Sequence, residues 1–88
     1  MNALVKRNGR FTEADLDEEI VVMRLDNGEF FSLSGTSAAI WRLIDGSRDR
    51  RALIAALTAD YGAEESEIAA DVDALLVQLR DTGLLADD

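Results

Sequence analysis

The stretch Asp26-Asn27-Gly28-Glu29-Phe30-Phe31-Ser32-Leu33-Ser34-Gly35-Thr36-Ser37-Ala38-Ala39-Ile40-Trp41 sets out a turn, a strand, a helix start and an aromatic anchor in succession. Asn27-Gly28 tolerates positive φ at both turn positions, so it predicts a tight two-residue hairpin between strands at 20–25 and 29–33. The run Ile20-Val21-Val22-Met23-Arg24-Leu25 is β-branched and of strand length. Pairing across that turn sets Leu25 opposite Phe30, Arg24 opposite Phe31, Met23 opposite Ser32 and Val22 opposite Leu33.

Working outward from this hairpin, residues 1–9 show no period and read as a loose lead-in. Residues 10–13 form a short first strand, and 14–19 an acid-rich connection. Downstream, Ser34 or Thr36 caps a helix over 36–45 with Ala39, Ile40, Leu43 and Ile44 at helical spacing, and Asp45-Gly46 ends it. Ser47 or Asp49 caps a second helix carrying Leu53, Ile54, Leu57 and Tyr61, which stops at Gly62. A third and longest helix spans 64–82 and stops at Gly83, leaving Leu84-Leu85 to pack back before an acidic tail. The order β-β-β-α-α-α predicts one α+β, winged-helix-like domain over 1–88, with its core at about 10–86 and a three-stranded antiparallel sheet followed by three α-helices.

Composition narrows the chemistry. The 88 residues contain no Cys, His or Pro. That removes disulfides, thiolate nucleophiles, imidazole bases and nearly all zinc, copper or haem ligation. No spaced oxygen-ligand loop is present, and a domain this small buries only about 60–65% of its unfolded surface. The expectation is a non-enzyme with no cofactor. No apolar run approaches the roughly 18 residues of a membrane span, so the chain reads as cytoplasmic.

Net charge is −9 and unevenly distributed: residues 1–33 carry 4 basic and 7 acidic side chains, 34–62 carry 4 and 3, and 63–88 carry 1 and 8. A partner at the C-terminal third is therefore neutral or basic. The last two helices have helix-turn-helix spacing, which raises a winged-helix DNA-binding regulator as the alternative function. Glu64, Glu65, Glu67, Asp71 and Asp73 stand where a reading helix carries Arg, Lys, Asn or Gln, and each would repel phosphate. Arg48, Arg50 and Arg51 form the one basic cluster and read as a solvated face. The glutamates of the first turn of helix three are sufficiently explained by the helix dipole, at about 0.3–1 kcal/mol each.

The hairpin carries more information. Ile20, Val22, Phe31 and Leu33 share one face, and Val21, Met23, Leu25 and Phe30 the other. Three helices cover one face, and the first strand or N-terminal segment is expected to cover the second, with an exposed partner surface as the other possibility. Hydrogen-bond parity turns the backbone of Glu29, Phe31 and Leu33 inward and leaves that of Phe30 and Ser32 outward. If the first strand pairs with the second, this edge is a template for an added peptide strand. Helix three supplies a second wall: Ile68, Val72, Leu75 and Leu79 form a core stripe, flanked by Leu76, Ala69, Asp73 and Arg80 on one side and Asp71, Ala74 and Gln78 on the other. Trp41 fills the joint between sheet and helices, and Tyr61 packs with its hydroxyl at the surface.

The Leu33-Ser34-Gly35-Thr36-Ser37-Ala38-Ala39-Ile40-Trp41 junction resembles the PqqD-like family. So do the Leu43-Ile44-Asp45-Gly46 exit, Asp60-Tyr61-Gly62, the segment Asp71-Val72-Asp73-Ala74-Leu75-Leu76-Val77-Gln78-Leu79, and Gly83-Leu84-Leu85. The resemblance covers roughly residues 17–86. It implies a stand-alone recognition element of ribosomally made, post-translationally modified peptides, possessing a winged-helix-like fold. Such an element binds the leader segment of a precursor peptide as a strand added to the third strand beside the third helix. It presents the precursor to a maturation enzyme such as a leader peptidase, including the lasso-peptide type, or a radical SAM enzyme. Carried over by position, the strand residues are Glu29, Phe30, Phe31, Ser32 and Leu33, and the helix wall is Asp71, Val72, Leu75, Leu76, Leu79 and Arg80. Nucleic acid and membrane are not expected partners, and the chain is expected as a monomer or weak homodimer.

Overall fold

A computed structural model describes residues 3–86. The expected tail at Asp87 and Asp88 lies outside the described residues. Strands β2 (Phe11–Asp15), β3 (Glu19–Arg24) and β4 (Phe30–Ser34) form an antiparallel sheet in the order β2-β3-β4. Helices α1 (Thr36–Leu43), α2 (Arg50–Tyr61) and α3 (Glu65–Asp81) follow, with α1 and α2 both packed on α3. The α+β order expected from the sequence is present.

Two short strands extend it. β1 (Val5–Lys6) pairs antiparallel with β5 (Leu85–Ala86), Val5 opposite Ala86 and Lys6 opposite Leu85. The described part of the lead-in, from residue 3, is therefore not loose, and Met1 and Asn2 lie outside the described residues. Leu4 is buried, its N–H donating to Arg48 O at 2.7 Å and its carbonyl accepting from Gly46 N–H at 3.1 Å. The apolar run Ala3-Leu4-Val5 is too short to show a period, which is why the sequence did not reveal it.

The β3–β4 register differs from expectation by two residues. Met23 stands opposite Phe30, Val22 opposite Phe31, Val21 opposite Ser32 and Ile20 opposite Leu33. The cause is the turn. Of Asn27 and Gly28, only Gly28 takes a positive φ (75°), so the two-residue turn with both centres positive does not form. Asn27 instead uses its side chain locally: Oδ1 accepts from Glu29 N–H at 2.9 Å. Arg24 N–H donates to Glu29 O at 2.7 Å, which closes a four-residue loop over 25–28. A shift of two leaves every side chain on its expected face, whereas a shift of one would have exchanged the faces.

The first hairpin is also tighter than expected, with β2 running on to Asp15, β3 starting at Glu19 and Leu16 N–H donating to Glu19 O at 2.8 Å. Asp17 takes φ 71°, a conformation that Asp tolerates better than most residues.

The helices cover one sheet face. Ile20, Val22 and Leu33 from the sheet, Trp41 from α1, Leu53 and Leu57 from α2, and Val72 and Leu79 from α3 are almost completely buried in one cluster. Each such side chain contributes about 1.5–3 kcal/mol of hydrophobic stabilisation. Trp41 fills the joint as expected. Phe11 meets it edge-on at 5.1 Å between centroids, and Lys6 Nζ lies 4.2 Å from the ring centroid. Burial pushes the Lys6 pKa below its ordinary value, while Glu13 and Asp45 act in the opposite direction.

No described element covers the second sheet face. β2 lies beside β3 instead of across it, and Phe30 is 71% exposed. The covering expected from the first strand or the N-terminal segment is absent among the described residues, because β2 spends its backbone on β3 and β1 spends its own on β5.

Helix ends follow local chemistry. Asp49 caps α2 by accepting from Ala52 N–H at 2.9 Å, whereas α1 begins at Gly35 with no side-chain cap from Ser34 or Thr36. At the end of α3, Leu84 N–H reaches Leu79 O at 2.9 Å and Gly83 N–H reaches Arg80 O at 3.1 Å. This Schellman closure turns the chain back so that Leu84 and Leu85 enter the core.

Candidate functional site: a strand edge beside a groove

β4 has β3 on one side and no strand on the other among the described residues. The Arg24–Glu29 bond sets the parity of the ladder: Glu29, Phe31 and Leu33 turn their backbone groups toward β3, and Phe30 and Ser32 turn theirs outward. The edge is an unpaired row of donors and acceptors.

This edge leads into a groove. Ser34 at the end of β4 and Thr36 and Ser37 at the start of α1 form one wall, and Asp71, Ala74, Leu75 and Gln78 of α3 form the other, around a cavity of about 370 Å³. A second cavity of about 320 Å³ continues past Gly35 and Thr36 toward Tyr61, Ala63, Glu67, Ile68 and Asp71. Thr36 and Asp71 border both, so the two halves are continuous. Tyr61 is exposed along this wall rather than packed.

Helix three presents its flanks unequally. Arg50 of α2 grips Asp73 through Nε at 2.6 Å and Nη2 at 2.9 Å, which assigns the flank containing Asp73 to the α2 contact. The Arg50 guanidinium holds the Asp73 carboxyl below its usual range. Arg80 is exposed on the same flank, and its charge also acts on Asp73. The opposite flank, with Asp71, Ala74 and Gln78, opens onto the groove.

The residues singled out from the sequence divide accordingly. Glu29, Phe30, Phe31, Ser32 and Leu33 lie at or beside the free edge, with Leu33 buried and Phe31 half-buried against the core. Asp71 and Leu75 line the groove. Val72, Leu76 and Leu79 are buried in the core, and the structure does not bring Arg80 to the groove side. Ser34, Thr36, Ser37, Ala74 and Gln78 were not among the expected site residues. The helical wheel placed Ala74 and Gln78 with Asp71, but choosing between flanks required the Arg50–Asp73 clamp.

A duplex-binding surface finds no support. Arg48 is held by Asp45 at 3.0 Å and Arg50 by Asp73, while the first turn of α3 presents Glu65 and Glu67. Among the described residues no group of three or more acidic side chains is placed to hold a metal ion. No helix there is long and apolar enough to cross a membrane.

An open sheet edge beside a helix-walled groove is the geometry that the described residues present. Residues 19–85 match the family model for coenzyme PQQ synthesis protein D (PqqD), and the chain belongs to that family. A PqqA binding protein of Rhodopseudomonas palustris (strain TIE-1) is 46% identical over 48 residues, covering 54% of this chain and 47% of that one. The match thus spans about half the length of that curated relative. The structure of TbiB1 in complex with the TbiA(beta) leader peptide superposes with a TM-score of 0.78 at 26% identity, covering 89% of this chain and 94% of that one. Lasso peptide synthetase B1 complexed with the leader peptide has the same fold, with a TM-score of 0.81 at 23% identity over 96% and 98% of the two chains.

Proposed function

We propose that the chain is a non-catalytic carrier in the cytoplasm. It captures the leader segment of a ribosomally synthesised precursor peptide and delivers it to a maturation enzyme, a leader peptidase or a radical SAM enzyme. The observation that carries this reading is the outward backbone of Phe30 and Ser32 on an edge that runs into the β4–α3 groove. An added strand satisfies those groups, and alternate leader side chains enter the groove against Leu75 and Ala74. Relatives that bind PqqA or were solved with leader peptides support the same assignment. Each edge hydrogen bond is worth about 0.5–1.5 kcal/mol net, so backbone pairing supplies modest affinity and the groove supplies register.

The test is Ser32→Pro, which removes an outward N–H and is tolerated on an edge strand. The probe is a labelled synthetic peptide with the sequence of the precursor's leader segment, followed by fluorescence anisotropy. Affinity is expected to fall about tenfold, as for the loss of roughly 1.4 kcal/mol, with far-ultraviolet circular dichroism retained. Unchanged affinity would count against strand addition.

A further inference from the structure

The half of the groove beyond the end of β4 has a chemistry that strand pairing does not use. Tyr61 and Ala63 at the α2–α3 turn, and Glu67, Ile68 and Asp71 of α3, enclose about 320 Å³ next to Gly35 and Thr36. Ile68 is buried and supplies an apolar floor, Ala63 is half-buried, and Tyr61 stands 51% exposed along one side. The two charged groups on this lining are both carboxylates.

Glu67 and Asp71 are four positions apart on α3, which sets them one turn from each other on the same side of the helix. Like charges at this spacing work against the helix, and neither residue is engaged in an ion pair among the described residues. Glu67 has a compensation, because it lies in the first turn of α3, where negative charge complements the helix dipole. Asp71 has none: the dipole's effect fades within the first turn, and Asp is a weaker helix former than Ala or Leu. The charge of Arg42 reaches Tyr61, but its guanidinium is already gripped by Asp15 at 2.8 and 3.0 Å. Arg50 is committed to Asp73 on the opposite flank. The cavity therefore presents unneutralised negative charge above an apolar floor, in direct continuation of the strand edge.

We infer that this cavity seats a Lys or Arg side chain of the captured leader, an inference that rests on strand capture at β4. The aliphatic stem of that residue lies on Ile68 and Ala63, its cation lies between Glu67 and Asp71, and the Tyr61 ring adds a cation–π contact. Ser32 and Gly35 are three positions apart, about 10 Å of extended strand, so the basic residue stands about three positions beyond the one opposite Ser32. An acidic leader residue there meets two uncompensated carboxylates, so the same pair that attracts the right peptide rejects the wrong one. Backbone pairing accepts almost any extended sequence, and this subsite supplies a chemical preference that the edge lacks.

The test is a double-mutant cycle on the full chain, read by fluorescence anisotropy. The probe is the labelled leader peptide acetylated at its N-terminus, so that only side chains carry positive charge, together with versions in which each Lys or Arg in turn is replaced by Gln. Asp71→Asn and Glu67→Gln are each expected to weaken binding of the unaltered leader about threefold or more, and the loss should shrink as salt is raised. One Lys or Arg replacement in the leader should weaken binding comparably, and against that peptide Asp71→Asn should cost less than about twofold. A merely structural role for Asp71 would move the urea midpoint of the free chain, which is expected instead to stay or rise as the repulsion from Glu67 is relieved. A leader insensitive to every Lys or Arg replacement, carboxylate variants that bind it within about twofold of wild type, or losses that persist in full with the uncharged peptide would overturn the inference. In those cases a Ser32→Pro variant that still loses affinity leaves strand capture standing. If Ser32→Pro binds as the wild type does, strand capture fails and the subsite fails with it.

Discussion

The indole Nε1–H of Trp41 donates to Glu13 Oε2 at 2.7 Å, joining α1 to β2 across 28 positions of sequence. Trp41 is fully buried, so this carboxylate supplies the acceptor that its ring N–H needs. Glu13→Ala leaves a buried donor without a partner and is expected to cost about 1–3 kcal/mol. Glu13→Gln retains an acceptor at the same reach and should cost less. Urea denaturation of the two variants, compared by midpoint at constant slope, checks the order.

Acid should destabilise the fold through identifiable pairs. Arg42, Arg24 and Arg50 hold Asp15, Asp26 and Asp73 below their ordinary pKa, and Ser47 does the same for Asp45. A carboxyl with a depressed folded pKa remains ionised in the native state while the unfolded chain takes up protons. Its contribution is therefore complete above the ordinary value of 3.8 and is lost as pH falls through the folded value. Thermal midpoints measured from neutral pH into acid should decline across that window. Asp73→Asn should show a shallower decline than the wild type, because one of the four contributions has gone.

Gly35 is expected to be the costliest glycine to replace. Its φ of 57° and ψ of −129° fall where essentially only glycine resides, and it turns the chain from β4 into α1. An added Cβ meets no atom within 4 Å, so the penalty is backbone strain without steric clash. Gly35→Ala should lose about 1–3 kcal/mol, against roughly 1 kcal/mol for Gly28→Ala in the loop. Chemical denaturation of both variants measures the difference.

These relationships show which parts of the molecule were legible in its sequence. The β-branched run at Ile20, the glycine stops at 62 and 83, and the helical spacing of Leu53 and Leu57 fixed the elements, because each is a local property. The sheet faces were also correct despite the wrong turn, since a two-residue register shift preserves side-chain parity. What failed depended on contacts distant in sequence. Leu4 is tied down by Arg48 and Gly46, and the free flank of α3 is chosen by a clamp between Arg50 and Asp73, 23 positions apart. No pattern within either segment encodes those partners. The open second face belongs with them, because whether β2 lies beside β3 or across it is a matter of tertiary pairing.

The unequal flanks of α3 give the sharpest test of the groove. Ala74 is small, exposed and faces Ser34 and Thr36 across the cavity, so a large ring there occupies the space that a leader side chain would use. Ala74→Phe adds no buried volume to the core and should leave the urea midpoint close to that of the wild type. It should nevertheless weaken leader binding about tenfold or more, equivalent to at least about 1.4 kcal/mol. Arg80→Ala changes the other flank, beside Asp73, and affinity should remain within roughly twofold, since a residue outside the contact contributes through long-range charge alone. Anisotropy titrations of both variants with the same labelled leader decide between the flanks. If Arg80→Ala weakened binding and Ala74→Phe did not, the leader would lie on the α2 side of the helix and the groove beside β4 would not be its seat.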